Sequence, residues 1–107
     1  MASVIRVVTL RSQPDRATEL ATRVRDNLVT HELPPGLVTV YVVRDIGDAA
    51  VVQLISVFDG LPAMEANMPS LDTGLAPLHP ILADQPRISS YEVVAHGQGK
   101  AAVLEGL

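Results

Sequence analysis

The chain is predicted to be an α+β domain of the ferredoxin-like, split βαβ kind: a four-stranded antiparallel sheet with both helices on one face. Three features of the sequence predict it. Residues 37–58 hold two β-rich runs, LVTVYVV and AAVVQLISVF, around the polar turn Arg44-Asp45-Ile46-Gly47-Asp48, which is the local signature of an antiparallel hairpin. The elements follow one another as strand, helix, strand, strand, helix, strand, the order of the split βαβ arrangement. Finally, the strands are apolar on both parities, whereas a strand with one wet face alternates between apolar and polar residues. Two helices can cover only one face of such a sheet. The other face, just as aliphatic, is then free to pack on a second copy, so a homodimer that closes a barrel between two subunits is predicted. The whole chain, 1–107, is expected to be one domain, with a core of about 3–96 and a C-terminal tail over 97–107.

Each element has its own local cause. Val4 to Leu10 (VIRVVTL) reads as the first strand, with Arg6 on one face and Thr9 on the other. Ser12-Gln13-Pro14-Asp15 is expected to start the first helix, because Pro suits the first helical position and an acid suits the first turn. Ala17, Leu20, Ala21, Val24 and Leu28 recur at helical spacing, while Arg16, Glu19, Arg23 and Asp26 form the solvated side. Pro34-Pro35-Gly36 ends that helix and launches the central hairpin. Asp59 is expected to cap a second helix carrying Leu61, Met64 and Met68. Pro69 should break it, with Ser70 opening a second, weakly helical piece that contains Leu71, Leu75, Leu78 and Leu82. Ile88 to His96 is the last predicted strand. A tail from Gly97, ending AAVLEGL, either frays or lies on a partner subunit.

Composition narrows the function. Of 107 residues, 48% are hydrophobic and 3% aromatic, with a mean hydropathy of +0.28, so the core is built from Val, Leu, Ile and Ala. The net charge is −4 and the basic residues are scattered, which argues against nucleic acid as a partner. With no cysteine there is no disulfide, thiolate metal site or cysteine nucleophile. No apolar run approaches the roughly 18 residues of a membrane span and no signal-peptide plan is visible, so a cytoplasmic protein without membrane contact is expected. The excess of Arg over Lys fits a high-GC bacterial source. The three histidines show no metal-ligand spacing, and neither a glycine-rich phosphate loop nor a Gly-x-Ser-x-Gly motif occurs, so neither metal nor cofactor is expected.

The stretch ELPPGLVTVYVVRD, a strand ending VFDG, the helix LPAMEA and the final strand SSYEVV resemble the antibiotic biosynthesis monooxygenase-type domain of the dimeric α+β barrel superfamily, over roughly residues 3–96. Phe58-Asp59 stands where such domains commonly carry Trp-Glu. The resemblance implies the dimeric barrel, with a pocket between helices and sheet. It leaves the activity open, since the superfamily also includes isomerases, haem-degrading enzymes and cyclase-like proteins. Haem degradation in such relatives uses a helix His, a Trp and a first-strand amide; here there is no Trp, and the first strand offers Arg6 and Thr9.

Polar residues on otherwise aliphatic strands are the candidate site. One parity offers Arg6, Thr39 and Tyr41, Gln53, then Ser90, Glu92 and His96; the other offers Thr9, Ser56, Ser89 and Tyr91. If the first set shares a face, Arg6, Tyr41, Gln53 and Glu92 form a polar cluster in a greasy cavity. Two readings stand side by side. Arg6 and Glu92 either pair as a structural bridge, or orient a polar substrate such as an enolised or phenolic ketone. His79, in Pro77-Leu78-His79-Pro80, falls where a lid over the pocket would lie and is the candidate base. His31 at a helix end and His96 at a strand end are weaker candidates. Asn67, Met64 and Met68 are expected to line the cavity, although Met often only fills gaps. The expected activity is a cofactor-independent monooxygenation of an aromatic or polyketide-like molecule, with His79, Arg6 and Tyr41 in the chemistry and Gln53, Glu92, Asn67, Met64 and Met68 around the substrate. The alternatives are an isomerase, cyclase or dehydratase on the same scaffold, or a non-catalytic dimer that binds a small hydrophobic ligand.

Overall fold

The computed structural model describes residues 2–99 and 101–104, the last four by their backbone alone. In chain order it holds β1 (Val4–Arg11), α1 (Ala17–Thr30), β2 (Leu37–Arg44), β3 (Val51–Phe58), α2 (Leu61–Leu75), a 3₁₀ segment (Ala76–Ile81), β4 (Arg87–Glu92), β5 (Ala95–Gln98) and β6 (Ala101–Leu104). The main sheet is antiparallel with the order β2-β3-β1-β4. This is the predicted ferredoxin-like α+β arrangement. Among the described residues no helix is long and apolar enough to cross a membrane.

The register assigns every strand residue to a face. Val4, Arg6, Val8 and Leu10 of β1 stand opposite Phe58, Ser56, Leu54 and Val52 of β3. Both helices pack on that face. Leu20 and Val24 of α1, Leu75 of α2, and Leu78 and Ile81 of the 3₁₀ segment close over Val8, Leu10 and Val52 as one buried cluster. A smaller cluster joins Val4, Phe58 and Met64. Each fully buried aliphatic or aromatic side chain contributes roughly 1.5–3 kcal/mol of transfer free energy. On the other face lie Ile5, Val7 and Thr9 of β1, Gln53, Ile55 and Val57 of β3, and Thr39, Tyr41 and Val43 of β2. No element of the described chain covers them.

Several element boundaries differ from expectation for identifiable reasons. The first helix begins at Ala17 rather than at Pro14. Ser12 and Gln13 stay extended, donating their backbone N–H groups to Ala50 and Ile81 at 2.9 Å each, and the chain then turns through Asp15 at a left-handed φ of 68°. Asp59 does not cap α2, because its N–H donates to the Gly36 carbonyl at 2.8 Å and keeps it within the sheet; Gly60 is the N-cap. Pro69 does not break α2 either. Pro69 and Glu65 are both exposed, so the Glu65 carbonyl that loses its partner lies on the solvent side, and the break falls about two turns later at Ala76.

The last predicted strand is divided. The Val93 N–H donates to Ser3 at 2.9 Å, beyond which β1 offers no further partner, and Ala95–Gln98 pairs instead with Ala101–Leu104. The tail therefore forms a hairpin; Lys100 and residues 105–107 lie outside the described residues.

Gly36 is where the two layers approach most closely. It has φ +84°, and a Cβ there would sit 2.5 Å from the Ala63 Cβ of α2, so no other residue fits without displacement. Two residues on, β2 carries a bulge at Val38, which shifts the pairing between Leu37 and Thr39.

Candidate functional site

A cavity of about 840 Å³ opens between the helix face of the sheet and the two helices. That volume lies within the roughly 300–1,000 Å³ typical of small-molecule sites. Its walls are largely aliphatic, with Val24 and Leu28 from α1, Leu37 and Val40 from β2, and Leu54 from β3. Arg6, Ser56 and Asn67 are polar groups that join this apolar wall, with Ser70 and Thr73 further along α2, while Arg23, Asn27, His31 and Glu32 lie towards the end of α1 and the following loop.

Arg6 is the unusual member. It stands in the middle of β1, opposite Ser56, and both are buried, at 3% and 4% exposure. Its guanidinium carbon lies 5.1 Å from the centre of the Phe58 ring, a cation–π placement. One Nη2 N–H donates to Asn67 Oδ1 at 2.8 Å, and Nη1 lies 3.6 Å from the Met68 sulfur, a weak acceptor. Nε is buried with no partner. Among the described residues no carboxylate pairs with Arg6: the ion pairs are Arg11 with Asp48 and Asp84, Glu19 with Arg16 and Arg23, and Arg25 with Asp26. Burial pushes the guanidinium below its usual value, yet an arginine remains protonated at neutral pH. The site is therefore a fixed buried cation in an apolar pocket.

His31 is the C-cap residue of α1. Its Nδ1 lies 2.8 Å from the Asn27 carbonyl and 3.0 Å from Thr30 Oγ1. A carbonyl can only accept, so in the neutral ring Nδ1 carries the hydrogen and Nε2 holds the lone pair. That leaves Nε2 as the proton acceptor on a residue lining the cavity.

The expected polar cluster is divided between the two faces of the sheet. Arg6 and Asn67 come together as described, and Met68 touches Arg6 without lining the cavity as expected. Met64 fills the core beside Phe58 and does not line the cavity. Tyr41 and Gln53 lie on the face opposite Arg6, because the β1–β3 register sets Arg6 against Ser56 and the β2–β3 register sets Tyr41 against Ile55. Gln53 there donates to Thr9 Oγ1 at 3.1 Å across the strands. Glu92 pairs in register with Val4 on the edge strand; it is exposed, and it is not Arg6's partner. His79 is also exposed and does not line the cavity, because the 3₁₀ segment turns Leu78 and Ile81 inward and leaves His79 outside.

Ser56 and His31 are the lining residues that sequence reasoning undervalued. For Ser56 the missing information was strand parity. For His31 the available signal was the Pro34-Pro35-Gly36 turn three residues further on, which returns the chain to the sheet at the cavity's edge.

No family profile matches the chain, and no curated protein matches it at a significant level. Solved structures do. A protein of unknown function from Nitrosomonas europaea superposes with a TM-score of 0.78 at 16% identity, over 94% of this chain and 98% of that one. A candidate antibiotic biosynthesis monooxygenase from Deinococcus radiodurans gives 0.71 at 20% identity, over 96% and 99%. A second bearing that candidate name, from Chloroflexus aurantiacus, gives 0.68 at 19% identity, over 92% and 98%. At such identities the likeness is one of fold. The chain has the antibiotic biosynthesis monooxygenase-type fold, as its motifs suggested.

Proposed function

We propose that the chain is a small cofactor-independent enzyme that takes an aromatic or polyketide-like molecule into the helix–sheet cavity and oxygenates it. The observation that carries this reading is the aliphatic cavity of about 840 Å³ with a buried cation in its wall that meets no carboxylate among the described residues. The fold shared with structures named as candidate monooxygenases supports it. His31 Nε2 removes a proton from a phenol or from a carbon next to a carbonyl, while Arg6, held by Asn67, stabilises the oxyanion that forms. The electron-rich carbon then reduces O₂. A CH₂ group becomes C=O, and the second oxygen atom leaves as water.

A second copy of the chain covers the open face, on which Tyr41 and Tyr91 are each 57% exposed beside Ile5, Val7, Ile55 and Val57. A homodimer sealed through that face leaves the cavity of each subunit accessible on the helix side.

Oxygen uptake by the purified protein with anthrone and naphthol probes tests the reading. Uptake should match carbonyl formation one to one. It should fall by about 10²–10⁴-fold in His31→Gln and stay unchanged in His79→Ala. No acceleration with any probe, or full activity in His31→Gln, contradicts the proposal. Among the described residues no Phe or Tyr lines the cavity, which gives the isomerase or cyclase alternative its own footing; conversion without oxygen uptake would select it.

A further inference from the structure

We propose that the natural ligand of the cavity carries a carboxylate, and that Arg6 is the group that docks it. The inference rests on the cavity being the working site but on no redox step.

Buried charges in proteins are paired, because removing an ion from water costs far more than an aliphatic core of this size recovers locally. Arg6 is 3% exposed and has only neutral neighbours: the Asn67 amide oxygen, the Met68 sulfur, the Phe58 ring and the facing Ser56. An arginine has five N–H donors. Asn67 and Met68 take two of them, the second weakly, and the Nε–H is buried with no acceptor among the described residues.

The chain's other charges near the cavity do not meet this need. Glu92 is exposed on the edge strand, Glu32 is exposed at the rim, and the rim cation Arg23 is already held by Glu19 at 3.1 Å. The missing anion therefore comes with the ligand. A planar guanidinium fork matches two coplanar oxygens, which is the geometry of a carboxylate. The same fork accepts a phosphate, but a phosphate monoester carries about −1.5 to −2 at neutral pH, more than Arg6, the sole cation buried among the described residues, balances. The aliphatic walls formed by Val24, Leu28, Leu37, Val40 and Leu54 suit an aromatic or alkyl body behind that head group.

Calorimetric titration with matched pairs tests this directly: benzoate against benzamide, 2-naphthoate against 2-naphthamide, and octanoate against octanamide. At least one acid should bind about tenfold or more tightly than its amide, and the preference should vanish in Arg6→Met. The wild-type protein provides a second readout that needs no variant, since the preferred acid should raise Tm and its amide should not. The proposal is overturned if no acid outperforms its amide, or if the preference survives Arg6→Met. An acid preference without oxygen uptake removes only the oxygenase reading. Turnover of neutral phenols without any acid preference removes only this one.

Discussion

On the helix side of β1, Val8 and Leu10 are completely buried, while on the opposite face of the same sheet Tyr41 of β2 and Tyr91 of β4 are each 57% exposed. Both faces are built from Val, Ile and Leu, but only one is closed by the chain's own helices. The closed face contains the one buried cation among the described residues, Arg6, and the cavity that it lines. On the open face Gln53 donates to Thr9, and Tyr41 and Tyr91 remain exposed. A cation without an anion among the described residues thus borders the cavity, and uncovered apolar area lies where a second sheet can pack. The two arginines of β1 repeat the contrast. Arg11 is exposed and bonded to Asp48 at 3.0 Å, whereas Arg6 is buried and has no anion among the described residues.

Truncations on the two faces should separate their roles most strongly. Phe58→Ala removes a fully buried ring beneath Arg6 and should cost about 3–5 kcal/mol at any protein concentration, measured by urea unfolding. Gly36→Ala should cost about 2 kcal/mol, since it combines a left-handed φ with a clash against Ala63 of α2. Its cavity neighbours Pro34 and Leu37 should shift with it, weakening ligand binding as well. Ile55→Lys places a charge on the open face. Sedimentation should find a dimer for the parent protein and a folded monomer for the variant; a parent monomer at micromolar concentration contradicts the two-face account.

The smallest effect concerns the exposed pair. The hydrogen bonds from Arg11 and from the Ala50 N–H hold the Asp48 carboxyl below its usual value. A lowered folded-state value gives stability that is present above the ordinary aspartate range and lost as pH falls through that range and below. Tm should therefore drop slightly more on acidification below about pH 4 in the parent than in Asp48→Asn.

Much of the fold could be read from the chain. Element order and doubly apolar strands were enough for the sheet, the helices and the central hairpin, whose turn is closed by Asp45 accepting from Gly47 at 2.7 Å. The division of the site between faces was not legible. Strand parity depends on pairing registers and on the bulge at Val38, and neither has a local signature, so Tyr41 and Gln53 could not be separated from Arg6 by numbering. Helix starts failed for a related reason. Gln13 and Asp59 have good local propensity for their expected roles, but each is held by a backbone bond to a distant residue, Ile81 and Gly36 respectively. His79 lies in the segment where a lid over the pocket is expected, yet the inward direction of that segment is fixed by the Leu78–Ile81 spacing.

The most direct test of the contrast between the faces is an NMR titration of the labelled protein with 2-naphthoate, following three side-chain signals. The account predicts that the Arg6 Nε–H and the Asn67 amide move together with ligand, while the Gln53 amide on the other face stays fixed. Movement of the Gln53 signal with a stationary Arg6 Nε–H would contradict it.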